Sequence, residues 1–455
     1  MADCTLVEFG GAPKVRFRPG NSEPEIPIRR GSYDKGDSMR WELEESPEQV
    51  AFRRDFGNWL EKTLPQGWMQ AVDNSDKNAF EKIKAESGWN FIAWMGTIGR
   101  SLYAAPLWPK EYGGMSGEPW MQQVVRSELA RYRLPAFGPN LLGVGLAGPT
   151  LVEHGTEEQK GRYLRKILTG EEVWCQLFSE PGAGSDLASL STRAVEDGDE
   201  WVVNGQKVWT TLAQFANFGM LLARTDPEKP KHEGLTYFIV DMKTAGIEVR
   251  PLKQITGSSE FNEVFFTDVR IPGANRVGAI GDGWRVARTT LMNERTALAG
   301  ISLDPVSIFG GSRRDPWTSY LAMLPATRPA TTRQKLVQTW IENEIKELTA
   351  FRANSARMKG AQPGPEGGVN KVFNAEYNQR RSTLAIDAAG LNGVAWLPSD
   401  KDAESRTTTF LRARAATIEG GTSEVLRNQM AERILDLPRD LEIDKGVPWS
   451  AIRRS

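Results

Sequence analysis

The spacing of apolar residues changes twice along this chain, and those two changes constrain the fold more than any single motif. From Ser46 the pattern is helical: Ser46 reads as an N-cap, Pro47 as a first-turn residue, and Val50, Phe52, Phe56 and Leu60 follow at near-helical spacing. This texture runs to about Leu168, broken by a turn at Trp108-Pro109-Lys110-Glu111-Tyr112-Gly113-Gly114. Near Val173 it gives way to short apolar or alternating runs at 173–179, 200–209, 218–224, 235–241, 246–251 and 261–267. Asp197-Gly198-Asp199 and Asn204-Gly205-Gln206 read as loops between them, the Asn-Gly pair as a hairpin turn. From Gly281 the helical texture returns, interrupted by Pro/Gly-rich stretches at 304–332 and 360–368. Helices, then an antiparallel block, then helices predict an α+β chain rather than a βαβ alternation. The expected divisions are an extended arm over 1–39, a helical domain over 40–172, a β-domain over 173–280 and a helical bundle over 281–455.

Composition narrows the function. A chain of 455 residues is long enough for two to four domains. Its net charge of −1 gives no electrostatic basis for nucleic-acid or membrane binding. Two cysteines, Cys4 and Cys175, make no disulfide framework. With only His154 and His232 besides, no cysteine or histidine metal cage is expected. His154 reads as the C-terminal residue of a helix before Gly155, and His232 as part of a charged loop. No secretory signal and no membrane-length apolar run are read, so a cytoplasmic protein is expected.

Three segments carry candidate chemistry. Gly143-Val144-Gly145-Leu146-Ala147-Gly148 satisfies a dinucleotide pattern but lies in a helical region before Pro149; close helix packing is the better reading. Phe178-Ser179-Glu180-Pro181-Gly182-Ala183-Gly184-Ser185-Asp186 follows a strand and offers small residues and consecutive amides to a flat ring or a phosphate. Val208-Trp209-Thr210-Thr211 ends a strand with an indole able to stack and hydroxyls able to meet a polar edge.

The order Glu180–Asp186, Asn204–Thr210, Asn293-Glu294-Arg295 and Ile418-Glu419-Gly420-Gly421-Thr422-Ser423-Glu424-Val425-Leu426-Arg427-Asn428 resembles the acyl-CoA dehydrogenase family over roughly residues 45–440. Trp174-Cys175-Gln176 and Pro363-Gly364-Pro365-Glu366-Gly367 resemble its actinobacterial branch, which includes steroid side-chain and fatty-acid degrading members. The resemblance implies an N-terminal helical domain, a middle β-domain and a C-terminal four-helix bundle, with FAD between the last two and completed by a neighbouring subunit. It implies flavin contacts from Phe178, Ser179, Trp209 and Thr211, and cofactor contacts from Thr422 and Glu424. Ser185, Arg295 and Gly420 would meet the acyl-CoA substrate. An electron-transfer flavoprotein would accept the electrons, and the assembly would be a homodimer, homotetramer or hetero-oligomer.

The implied reaction removes an α-proton beside a thioester while the β-hydrogen passes as hydride to flavin N5. That needs hydrogen bonds to the thioester oxygen, exclusion of water and a carboxylate base in an apolar site. Many family members carry the base at the loop position held here by Gly420. On the helix after Asp282-Gly283, however, Trp284, Ala287, Leu291, Glu294 and Leu298 share one stripe. Four of the five are apolar, and an ionised carboxylate on such a stripe is costly without a partner; an internal salt bridge to Arg288 or Arg295 is the alternative reading, though Arg295, adjacent on the helix, is poorly placed. Some relatives take their base from this helix, directly before the arginine, and have glycine in the loop. Glu294 is therefore the expected base; Glu419, one residue off the loop position, is the competitor.

One departure stands out. Many members carry an Arg-x-x-Phe-Gly run that binds the FAD pyrophosphate, whereas here Val306-Ser307-Ile308 precedes Phe309-Gly310 and a Pro/Arg-rich insertion follows over 311–332. Arg313, Arg314 and Arg328 could supply the charge. Two rival readings follow: a non-catalytic or partner-dependent subunit of a hetero-oligomer, and a flavin oxidase or monooxygenase on the same fold.

Overall fold

Helices α1 (Pro47–Thr63) to α7 (Glu157–Thr169) precede the sheet. The computed structural model describes residues 45–74, 76–135, 141–298, 330–359, 367–395, 403–439, 441 and 444–452. Residues Gln49–Ser455 form one unit. Between α1 and α7 lie α2 (Trp68–Asp73), α3 (Lys77–Ser87), α4 (Phe91–Arg100), α5 (Pro119–Arg131) and α6 (Gly148–His154). Local chemistry sets their starts. Asp76 and Asn90 cap α3 and α4, and Thr156 with Gln159 forms a capping box on α7. Phe56, Leu60, Trp68, Trp94, Ile98 and Leu129 form their core.

Eight strands make one sheet: β1 (Trp174–Leu177), β2 (Arg193–Asp197), β3 (Glu200–Thr211), β4 (Phe218–Arg224), β5 (Leu235–Asp241), β6 (Ile247–Leu252), β7 (Phe261–Pro272) and β8 (Arg276–Val277). The order is β6-β7-β3-β2-β4-β5-β8, with β1 parallel to β4. Side chains alternate between two cores. Trp174, Phe178, Met220, Leu222, Tyr237 and Ile239 face the helices, against Leu164, Ile167, Val286 and Ala287. Cys175, Leu177, Leu221, Ala223, Phe238 and Val240 face Val264 and Phe266 on the other side. Burial on both faces explains the unbroken apolar runs of β4 and β5.

After the sheet come α8 (Gly283–Leu298), α9 (Ala330–Met358), α10 (Gly367–Ala388), α11 (Leu391–Ala395), α12 (Ala403–Ala413) and α13 (Ser423–Arg433). Helix α10 packs on α9, α12 and α13, while α8 packs on β5 and α6. Among the described residues no helix is long and apolar enough to cross a membrane.

The structure corrects one turn and adds two strands. Asn204-Gly205 is not a hairpin turn: it lies inside β3, which pairs with β2 up to Asn204 and with β7 on the other side. Gly205 is there because a Cβ would stand 2.7 Å from the Thr192 Cα, and the ladder to β7 shifts register at this point. The true turn is at Gly198, between β2 and β3. The arm over 1–39 and the 304–329 part of the insertion, with Arg313, Arg314 and Arg328, lie outside the described residues.

Candidate active site

Helix α8 is rooted on β5. Gly281 donates its amide to Thr236 Oγ1 at 3.1 Å, and Asp282 bridges Leu235. A Cβ on Gly283 would lie 2.6 Å from the Thr236 Cα, so only glycine admits this approach. The next turns bury Val286 and Ala287 completely, with Trp284 and Leu291 packed against the same core. Thr290, also buried, joins its hydroxyl to Thr150 of α6 at 2.9 Å and to Tyr237 of β5 at 3.2 Å. Trp284, Ala287 and Leu291 of the stripe read from the sequence thus face inward, and these contacts fix the rotation of the helix; the Leu298 side chain lies outside the described residues.

One turn further on, Glu294 is half-buried and accepts a hydrogen bond at Oε2 from Gln176 Nε2 at 3.1 Å. Its Oε1 lies 3.9 Å from where a Cβ on Gly420 would stand. Gly420 and Gly421 have φ of 63° and 91°, the left-handed region that favours glycine. The loop then enters α13, whose N-cap Thr422 accepts the Val425 amide at 3.2 Å. Lys371 of α10 donates to the Gly421 carbonyl. Partial burial lowers the Lys371 ammonium pKa, opposed by the charges of Glu419 and Glu424.

Glu419, the other candidate, is ion-paired. Its Oε2 accepts from Arg412 Nη2 of α12 at 2.7 Å, and that guanidinium also lies over the Phe261 ring at 5.7 Å. Arg295 follows Glu294 on α8; its side chain lies outside the described residues.

The loop after β1 is anchored from below. Lys207, fully buried, donates to Glu180 Oε1 at 2.8 Å and to the Phe178 carbonyl at 2.9 Å. Glu180 also accepts from the amides of Ser191 and Thr192 at 2.7 and 2.9 Å. Burial raises the Glu180 pKa, but the Lys207 charge and these hydrogen bonds outweigh it and hold the carboxyl below its ordinary range. The Val208 amide closes the link by donating to the Ser179 carbonyl at 2.9 Å. Phe178 is buried edge-on against Tyr237. Ser185 is exposed.

Trp209 follows directly. It has φ of 59° at a break in the β3–β7 register, and its side chain is 60% exposed. A bulky residue in the left-handed region is strained. The distortion turns an indole outward from a strand that would otherwise bury or pair it. Its ring meets Phe261 edge-on at 5.9 Å, and Thr211 stands opposite Phe261 in the ladder.

The fold therefore brings Glu294 and Gly420 together, and ties Phe178 and Ser179 to the strand that carries Trp209 and Thr211. Thr422 and Glu424 lie at the start of α13, just after Gly420. Two residues with no role assigned from the sequence enter the site: Gln176, 118 residues from Glu294 along the chain, and Lys371. A polar residue alternating with Trp174 and Phe178 was the available signal for Gln176.

Three acyl-CoA dehydrogenase family models match the chain: the N-terminal domain over 46–171, the middle domain over 175–269 and the C-terminal domain over 322–435. The chain belongs to the acyl-CoA dehydrogenase family, a family of flavoprotein oxidoreductases. Among relatives, it is 40% identical over 402 residues to acyl-CoA dehydrogenase IpdE1 of Mycobacterium tuberculosis, covering 86% of this chain and 98% of that one. It is 42% identical over 337 residues to acyl-CoA dehydrogenase FadE34 of the same organism, covering 74% of this chain but 45% of FadE34; the chain matches under half the length of that relative. Among solved structures, the Tcur3481-Tcur3483 steroid ACAD is 30% identical with a TM-score of 0.68, covering 88% of this chain and all of that one. The actinobacterial resemblance read from the sequence agrees with these mycobacterial relatives.

FAD is usual in this family, and the residues present fit it. An exposed indole on a strained bulge suits a flat ring. Gly182 and Gly184 have nothing within 4 Å of a Cβ position, leaving backbone open to close approach. The start of α13, just after Gly420-Gly421, places a helix N-terminus beside the loop, an environment that favours an anion.

Proposed function

We propose that this protein catalyses the α,β-dehydrogenation of an acyl-CoA thioester with Glu294 as the base. The observation that carries this reading is the Glu294 carboxylate on an otherwise apolar helix stripe, facing the side-chain-free Gly420 of the loop. In this reading Glu294 takes the α-proton. The bare Gly420-Gly421 backbone leaves space for the thioester, and the apolar neighbours exclude water. FAD, when bound, supplies the two-electron acceptor for the β-hydrogen. Phe178, Ser179, Trp209 and Thr211 would hold its ring, and Thr422 and Glu424 its polar chain. Ser185 and Arg295 would hold the CoA part. The acyl group belongs to the fatty-acyl or steroid side-chain class, and an electron-transfer flavoprotein takes the electrons in the cytoplasm.

The test is anaerobic bleaching of the flavin by a panel of fatty-acyl and steroid side-chain CoA thioesters. Glu294→Gln is expected to abolish bleaching while Glu419→Gln leaves it within about threefold, since Glu419 is occupied by Arg412. Bleaching at full rate in Glu294→Gln rejects the assignment.

A partner-dependent assembly is the second reading. Trp209 is exposed in the single chain, and α9 exposes Val337, Trp340, Ile341, Ile345 and Leu348 along one face. The related steroid ACAD is itself named as a pair, Tcur3481-Tcur3483. A colourless purified chain that turns yellow only with a second, unlike chain favours this reading; a yellow homo-oligomer rejects it.

A further inference from the structure

Gln176 has no assigned role, yet it is the odd residue on its strand face. Its neighbours on that face, Trp174 of β1 and Phe178 directly after the strand, are buried in the apolar core shared with α8. Cys175 and Leu177 fill the opposite face. A carboxamide between two large aromatics breaks the apolar alternation, and such a break costs stability unless its hydrogen bonds are used. Its Nε2 reaches Glu294 Oε2 at 3.1 Å, across from the oxygen that faces Gly420. An ionised carboxylate only accepts, so the amide presents N–H to it.

From this geometry we infer that Gln176 is a positioning residue for the base: it holds the Glu294 carboxylate through Oε2 and favours its ionised form. The inference rests on Glu294 being the base. Three physical points support it. A hydrogen bond to the charged form of a carboxylate favours that form, which offsets the penalty of the apolar stripe. An amide does not titrate, so it restrains the base without competing for the proton. Gln176 is also two residues before Phe178, and the β1 backbone therefore fixes the distance between the base and the loop expected to meet the flavin.

The experiment uses the FAD-loaded protein and two variants, Gln176→Leu, similar in size without a donor, and Gln176→Glu, which keeps size and polarity. The expected result is that the acid limb of the flavin-bleaching profile moves upward by about one pH unit in Gln176→Leu. It moves further in Gln176→Glu, where two adjacent carboxylates resist ionising together. In both, the rate at high pH stays within a few-fold of the parent and KM changes little. Without substrate, infrared titration of the carboxylates, with Glu294→Gln as the blank, is expected to move the Glu294 signal in the same direction. An acid limb and infrared midpoint unmoved in both variants, or an equal loss at every pH, overturns the inference. If Gln176→Leu does not fold, Gln176→Met, unbranched and likewise without a donor, takes its place with the same expected shift. Full-rate bleaching by Glu294→Gln sinks the base itself; an inactive Glu294→Gln with an unmoved limb sinks only the role of Gln176.

Discussion

A Cβ on Gly420 would stand 3.9 Å from Glu294 Oε1, so the loop and the helix converge at the Glu294 carboxylate. That separation is ordinary van der Waals contact. A small side chain would fit, and what demands glycine is the φ of 63°. Gly420→Ala is therefore expected to cost about 1–2 kcal/mol in thermal or denaturant melts, with Gly420→Asn costing less, because asparagine tolerates the left-handed region. Equal losses for the two would show that space, not backbone conformation, sets the residue.

The buried Glu180–Lys207 pair gives a second expectation. Lys207→Met leaves an uncompensated buried carboxylate and is expected to destabilise the protein by about 3–5 kcal/mol. Adding Glu180→Leu should restore part of that. The pH sign follows from the depressed Glu180 pKa. Its stabilisation is complete above the ordinary carboxylate range and is lost as pH falls through the lower folded value. Urea midpoints across the acid range should show a steeper loss in the parent than in the double variant.

His154 predicts a pH dependence near neutrality. Its Nδ1 accepts from Arg285 Nη1 at 3.1 Å and its Nε2 shares a hydrogen with Thr289 Oγ1 at 2.8 Å, an arrangement that suits the neutral ring. Burial lowers its pKa from 6.5, the Glu153 charge opposes this and Arg285 adds to it, and the net shift is downward. The unfolded chain then takes up a proton first on acidification. Stability should fall as pH drops below about 6.5, and His154→Gln should flatten that slope. An unchanged slope rejects this account.

Trp209 is expected to separate cofactor binding from folding. Trp209→Ala removes an exposed indole and should weaken FAD retention about tenfold, roughly 1.4 kcal/mol, measured by flavin release on dilution. The melting temperature of the FAD-free protein should barely change. A fall in that temperature with retention intact would assign the residue to the core instead.

Much of the fold was legible because apolar period survives in long elements. The runs at 218–224 and 235–241 coincide with β4 and β5. What failed had physical causes. Strand β2 buries only Ala194, so it has no alternation to read. The Asn204-Gly205 turn signal was overridden by the close approach of Thr192. At the site, Glu294 was visible as a charge on an apolar stripe. Gln176 was not, since its partner lies on a distant helix, and the left-handed turn at Trp209 leaves no mark in composition.

The root of α8 on Thr236 through Gly283 has a wider consequence. In the proposed reaction, the carboxylate of Glu294 would take its place from this seated helix and not from a side chain of the loop it faces. The loop is then left with a different task, that of supplying a left-handed turn at Gly420 and Gly421 and the start of α13.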